Sequence, residues 1–271
     1  MITVLGSSGF VGSHLVRWLE ARSIPFHAPG RDDDLPATDL GHVVYAIGVT
    51  GDFRSRRHET VEAHVCKLER LVEEGTFESL TYLSSTRLYR RGPDPAREEN
   101  ALVVDPSDAD DLYNISKAMG ESLLLAGTTP VKVVRLSHVY GLDWGSRGFL
   151  SEIVTEAVER GRVVLRSALD SERDYVSIDD VVDLVFRIAT TGTRRLYNVA
   201  SGRNVSNGDI VARLSAVTGC AVEVDPAAST VRFPRIGTER ITGEFGFTPR
   251  DVLDDLADVV KLFEVESGRR R

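Results

Sequence analysis

The chain has 271 residues, 42% of them hydrophobic and 27% charged, enough apolar surface for a substantial core in one large or two intimate domains. Lys plus Arg number 33 against 41 Asp plus Glu, a formal charge of -8. That balance excludes the basic face a phosphate backbone requires, so nucleic acid is not expected as a partner. No apolar run approaches the ~18 residues of a membrane span, and the first residues show no basic segment followed by an apolar one. The two cysteines, Cys66 and Cys220, make no disulfide framework. The composition predicts a soluble, cytoplasmic chain without membrane contact.

Through the first 140 residues, apolar runs of strand length alternate with helical patterns. Strands are expected at 2–5, 25–28, 43–47, 80–84 and 131–136, and helices at 10–22, 57–74 and 111–126. In the second helix Val61, Val65, Leu68 and Val72 fall on one stripe. His58, His64 and Cys66 lie close there, but positions 64 and 66 point apart on a helix and no fourth ligand accompanies them, so no metal is expected. Beyond residue 141 the glycines Gly141, Gly145 and Gly148 precede a helix at 149–160 and a strand at 162–166. Further helices are expected at 178–190, 206–218 and 250–263, and a strand at 195–199 that returns to the main sheet. The terminal Arg269-Arg270-Arg271 is a solvated tail.

Strand 2–5 runs into Gly6-Ser7-Ser8-Gly9-Phe10-Val11-Gly12 and then a helix. Gly6 permits a tight turn, Gly9 lets backbone approach a pyrophosphate, and Gly12 allows close helix–strand packing. Free N–H groups of Ser8, Phe10 and Val11 and the helix dipole favour an anion there. Ala46-Ile47-Gly48, at the end of the third strand, is the second candidate stretch for holding a dinucleotide. After the second strand, where an NAD site places a carboxylate, the chain reads Pro29-Gly30-Arg31. Arg31 offers a fork to a 2′-phosphate, which favours NADP(H) over NAD(H); Asp32, Asp33 and Asp34 directly after it argue the other way. The architecture expected is α/β, a Rossmann-like doubly wound parallel sheet with a small, mostly C-terminal substrate-binding lid. Residues 1–141, with 175–200 returning to them, would hold the dinucleotide; 142–174 and 201–271 would form the lid.

Tyr113-Asn114-Ile115-Ser116-Lys117 puts a phenol and an ammonium four residues apart on one helical face. A cation about 4 Å away at an effective dielectric near 20 contributes about 4 kcal/mol, roughly three pKa units on a phenol that titrates near 10. Such a tyrosine could exchange a proton with a carbinol oxygen near neutral pH. Upstream, a strand ends in Tyr82-Leu83-Ser84-Ser85-Thr86-Arg87-Leu88-Tyr89.

With its G-x-x-G-x-x-G spacing, this set resembles the extended branch of the short-chain dehydrogenase/reductase superfamily, which contains nucleotide-sugar epimerases, dehydratases and ketoreductases. The resemblance runs from Gly6 to about residue 263 in a chain shorter than most members. It implies that Ser85, four residues before Tyr89, polarises the substrate oxygen, that Tyr113 supplies the proton, and that Lys117 also holds nicotinamide ribose hydroxyls. An extra strand normally present between Arg31 and Val43 is expected to be reduced or absent here. Dehydratases of this branch carry Asp-Glu directly after the catalytic hydroxyl residue and fucose-type enzymes a cysteine at the second place; Thr86-Arg87 stands instead, leaving plain hydride transfer.

In the substrate half, the resemblance makes Thr86, His138, Arg173 and Arg232 candidates for substrate contact, the two arginines as clamps on a diphosphate. Asp179 or Asp180 is expected to cap the following helix. Asn198-Val199-Ala200-Ser201-Gly202 and Phe245-Gly246-Phe247-Thr248-Pro249 are structural landmarks. Together these features predict an NAD(P)-dependent ketoreductase of a nucleotide-linked 4-keto-6-deoxy sugar. The residues alone also admit a nucleotide-sugar 4-epimerase, a reductase of a non-sugar ketone, or a non-catalytic dinucleotide-binding regulator. By the same resemblance a homodimer would form through 57–74 and 111–126.

Overall fold

The computed structural model describes residues 1–31, 33, 38–141 and 148–270. Leu142, Gly145, the expected short segment 35–37 and Arg271 lie outside the described residues, as do the side chains of Arg269 and Arg270. In chain order the first half comprises β1 (Ile2–Leu5), α1 (Phe10–Ala21), β2 (Phe26–His27) and β3 (His42–Tyr45), then α2 (Arg57–Val61), a π turn (Glu62–Cys66) and α3 (Lys67–Glu74). There follow β4 (Ser79–Ser85), a 3-10 turn (Thr86–Tyr89), α4 (Asp111–Leu125) and β5 (Val131–Leu136). The second half holds β6 (His138–Tyr140), α5 (Phe149–Arg160), β7 (Arg162–Ser167), β8 (Glu172–Ser177), α6 (Ile178–Thr191) and β9 (Leu196–Val199). It ends with β10 (Asn204–Ser206), α7 (Asn207–Thr218), β11 (Ala221–Ser229), α8 (Glu239–Phe245) and α9 (Val252–Arg270). Among the described residues no helix is long and apolar enough to cross a membrane.

Six strands form one parallel sheet in the order β2-β1-β3-β4-β5-β9. β1 is buried at all four positions, which is what helices on both faces demand. On one face α1 and α6 contribute Leu15, Leu19, Val181, Leu184, Val185 and Ile188; on the other α3 and α4 contribute Leu68, Leu71 and Leu124. Each such side chain stabilises the fold by about 1.5–3 kcal/mol when fully buried. Strand order reverses between β1 and β3, so the loops after these two strands diverge and leave a crevice beyond their carboxyl ends.

A second core joins α5, α7 and α9 through Leu150, Val154, Ile210, Leu214, Leu256 and Phe263. Beside it, β10, β8 and β6 make a three-stranded sheet, and β11 pairs with β7. Of these strands only β7 has the apolar run that sequence patterning detects. β9 does return to the main sheet, alongside β5.

Two local expectations are corrected. The π turn over Glu62–Cys66 inserts an extra residue into the helical repeat, so the stripe does not run through Val61. That residue is 37% exposed, while Thr60, Ala63, His64 and Val65 turn inward. The cap of α6 is Ser177, whose hydroxyl accepts from the Asp179 N–H (3.2 Å); Asp180 instead accepts from the Arg250 N–H (3.0 Å).

Candidate active site

β1 ends in a turn that only glycine fits. Gly6 has φ +87°, and a Cβ there would lie 2.7 Å from the Ala46 carbonyl carbon and 2.8 Å from the Ile47 nitrogen. The loops after β1 and β3 therefore touch at the point where strand order reverses. A Cβ on Gly12 would lie 2.2 Å from the Gly6 oxygen, so the first turn of α1 packs directly on this loop. Gly9 caps α1 without any side-chain hydrogen bond to the helix. Its first amides, at Phe10, Val11 and Gly12, are left for a ligand at a positive helix end. An anionic dinucleotide fits this cradle. Ser8 is exposed beside it, and Ser7 is tied back to the Pro29 carbonyl (3.3 Å). Arg31 is exposed at the neighbouring bend, where the Gly30 N–H donates to the Asp33 carboxylate (2.6 Å).

Gly48 marks the inner end of the crevice. A Cβ on it would lie 3.3 Å from His64 Nε2 and 3.6 Å from Lys117 Nζ. α4 turns Tyr113, Ser116, Lys117 and Glu121 inward, and Ser85 at the end of β4 is near enough to Tyr113 to favour its ionised form. The structure thus brings Ser85, Tyr113, Lys117 and Gly48 together from three separate segments. The Ser85 oxygen also accepts from the Arg87 N–H (3.2 Å), capping the 3-10 turn that carries buried Thr86.

The expected acidification of the phenol by Lys117 does not hold in this geometry. Lys117 Nζ donates to the Leu83 carbonyl (2.8 Å) and sits 4.6 Å from the Tyr82 ring, so its charge is directed into the sheet. Burial lowers the Lys117 pKa to about 7, with Glu121 opposing. Burial likewise raises the Tyr113 phenol above its ordinary value, and the opposing influences are Ser85 and Arg87. The cation facing the phenol is therefore Arg87, which sequence reading treated only as the place of a missing acid.

His64 was also missed as part of this site. The π turn carries it to full burial, where it accepts from the Val49 N–H (3.2 Å), pairs with Ser116 Oγ (2.8 Å) and stands edge-on to Tyr113. Desolvation, then Lys117, lowers its pKa to about 2, so it is a neutral imidazole with both nitrogens engaged. A lone histidine in a helical stripe gives no sign of this.

On the far side, His138 packs against Tyr175 and Phe233. Burial and then Arg173 lower its pKa to about 3. Arg173 is 9% exposed and stacks over Phe149 at 4.4 Å; its Nε has no hydrogen-bond partner among the described residues. Arg232 pairs with Asp170 at the surface (3.2 Å), so its charge is already countered.

Comparison with known proteins bears on this geometry. Residues 2–200 match the NAD dependent epimerase/dehydratase family. The chain belongs to that family. It is an NAD(P)-dependent oxidoreductase of the extended short-chain type, the class to which its curated relatives belong. A dTDP-4-dehydro-6-deoxyglucose reductase from Escherichia coli is 22% identical over 95% of each chain. A GDP-6-deoxy-D-mannose reductase from Pseudomonas aeruginosa is 26% identical over 89% of this chain and 86% of its own. Among solved structures, MoeE5 in complex with UDP-glucose and NAD superposes with a TM-score of 0.82 at 20% identity, covering 98% of this chain and 99% of that one. RMD from Pseudomonas aeruginosa complexed with NADPH gives 0.78 at 19%, over 96% and 97%.

Proposed function

We propose that this chain reduces the ketone of a nucleotide-linked 4-keto-6-deoxy sugar, using NADP(H) in preference to NAD(H). The observation that carries the reading is the meeting of Ser85 and Tyr113 beside Lys117 and Gly48, at the inner end of a glycine-lined crevice. The two curated relatives, named as reductases of dTDP- and GDP-linked deoxy sugars, support the substrate class. So does Thr86-Arg87, which replaces the acids that a dehydratase would use.

When bound, the dinucleotide supplies the hydride. The chain's part is to hold and protonate. Gly6, Ser8, Gly9, Phe10, Val11 and Gly12 seat the pyrophosphate with Ala46, Ile47 and Gly48, and Lys117 holds ribose hydroxyls. Ser85 donates a hydrogen bond to the ketone oxygen, fixing it where Tyr113 delivers its proton. Thr86, His138 and Arg173 line the sugar and diphosphate side, with Arg232 at its rim. We assign the dinucleotide to residues 1–141 with 175–200, and the substrate lid to 142–174 and 201–271; the separate core around α5, α7 and α9 supports this division. A homodimer through α2, α3 and α4 would cover Val61 and Met119, 37% and 56% exposed.

Incubation with NADPH and a panel of keto-sugar nucleotides tests the proposal: oxidation of the cofactor by at least one 4-keto-6-deoxy substrate is expected. No oxidation across the panel would retire it, and sugar inversion without net cofactor turnover would identify a 4-epimerase. Arg31→Ala is expected to weaken NADPH binding about tenfold, the value of a charged hydrogen bond, and to leave NADH unaffected. Equal effects on both would remove the case for a 2′-phosphate contact.

A further inference from the structure

Behind the turn that carries Ser85 runs a row of buried polar side chains to which no step above gives a part. Ser84 on β4, Arg135 on β5 and Asn198 on β9 are neighbours in register across three parallel strands, so their side chains share one face of the sheet. Glu121 of α4 and Tyr89, the last residue of the 3-10 turn, close over that row. The Ser84 hydroxyl donates to the Glu121 carboxylate (2.5 Å), and Arg135 donates to the same carboxylate and to the Tyr89 hydroxyl. Tyr89 donates to Asn198 Oδ1 (2.9 Å), and Asn198 Nδ2 donates to the Gly237 carbonyl (3.1 Å). All five side chains of the row are buried.

We infer that Ser84, Glu121, Arg135 and Tyr89 are positioning residues, a clamp that holds the Ser85 hydroxyl at a fixed place against the reacting ketone. The inference rests on the reading of Ser85 as the donor to that oxygen. Two bonds of the row fall on the chain either side of Ser85, one at the residue before it and one at the end of the turn it caps. Ser85 accepts from the Arg87 N–H (3.2 Å) inside that bracketed stretch. The ladder with β5 ends at Ser85, so beyond it the turn takes its place from side-chain bonds. Apolar residues of the same volume would fill this space without burying two charges, and stability alone does not call for an ion pair there. What directed hydrogen bonds add is a set distance and angle. A donor works in catalysis when it is aimed before charge develops on the oxygen, and a displacement of about 1 Å can cost a hundredfold in rate.

Ser84→Ala and Tyr89→Phe each release one arm of the clamp. Both leave Glu121 and Arg135 paired, so the charge that Glu121 presents to Lys117 is unaltered. Amide hydrogen exchange in the free, intact protein reads the turn directly, because the Arg87 N–H bonds to Ser85 Oγ. In each variant that amide is expected to exchange about tenfold faster, the loss of one hydrogen bond in a local opening, while amides of β1 and β3 keep their rates. With a keto-sugar nucleotide, kcat is expected to fall about tenfold, with KM and dinucleotide affinity little changed. Unchanged exchange at Arg87 in both variants would overturn the inference. So would faster exchange that spreads equally to β1 and β3, which marks general destabilisation, or an unaltered kcat beside a loosened turn. Loosening confined to the turn, in a protein that reduces no keto sugar, would leave the clamp standing and remove the proposed substrate.

Discussion

At the scale of single residues, the site depends on a buried polar network behind it. Arg135, on β5, donates to both carboxylate oxygens of Glu121 (Nη2 to Oε2 2.6 Å, Nε to Oε1 3.0 Å) and to the Tyr89 hydroxyl. Ser84, next to Ser85, donates to the same carboxylate (2.5 Å), and Tyr89 donates to Asn198 (2.9 Å). Both charges are nearly sealed, at 4% and 3% side-chain exposure. Removing one partner strands the other in a medium that cannot solvate it. Arg135→Met is therefore expected to cost about 3–5 kcal/mol by urea unfolding, and the double variant Glu121→Met with Arg135→Met to recover most of that. Equal losses in both would mean that the pair itself, not the stranded charge, carries the energy. Little of this network was legible beforehand. The sequence shows Arg135 inside an apolar run and Glu121 on a helix, but their pairing depends on how α4 lies over β5. The same holds for Lys117: its spacing to Tyr113 was readable, while the Leu83 carbonyl that captures its ammonium is a tertiary contact.

Elements were legible wherever one periodicity dominates. β1, the glycine loop and α1 appear where the pattern puts them, because a four-residue apolar run followed by a helical stripe leaves few alternatives. β8 escaped notice because its residues Glu-Arg-Asp-Tyr-Val-Ser look polar. Its buried Asp174 is satisfied by the N–H groups of Ser201, Gly202 and Arg203 (2.9, 2.7 and 3.1 Å), a compensation far away in sequence. β11 is exposed along much of its length and includes Pro226, so neither burial nor propensity signals a strand. The cap of α6 was misplaced by two or three residues because Ser177 and the aspartates all suit a helix start. Ser177→Ala is expected to lower stability by about 1 kcal/mol, read as a drop in melting temperature that Asp179→Asn does not reproduce. At the other end of the crevice, Gly12→Val should abolish dinucleotide binding, since the new side chain would displace the Gly6 turn; retained binding in a folded variant would disprove that the turn is the cradle.

At the scale of the whole molecule, stability and acidity are linked through two buried histidines. His64 and His138 titrate in the folded state near 2 and 3, below the ordinary 6.5, chiefly because burial excludes the charged form. Between about pH 3 and pH 6.5 the unfolded chain thus binds more protons than the folded one, and stability rises with pH across that window. The protein is expected to lose stability steadily as pH falls below 6.5. His138→Phe should flatten the slope, and an identical slope in wild type and variant would contradict the assignment. Both histidines border the site, so the acid-sensitive part of the molecule is its centre.

The most direct measurement of the central claim is isotopic. NADPH carrying deuterium at the transferable position of its nicotinamide is incubated with the keto-sugar nucleotide that the enzyme accepts, and the product is read by mass spectrometry and proton NMR. One deuterium at the new carbinol carbon is predicted with the wild-type chain, and almost none with Tyr113→Phe. Product formed without deuterium at that carbon, or formed equally well by Tyr113→Phe, would contradict the account.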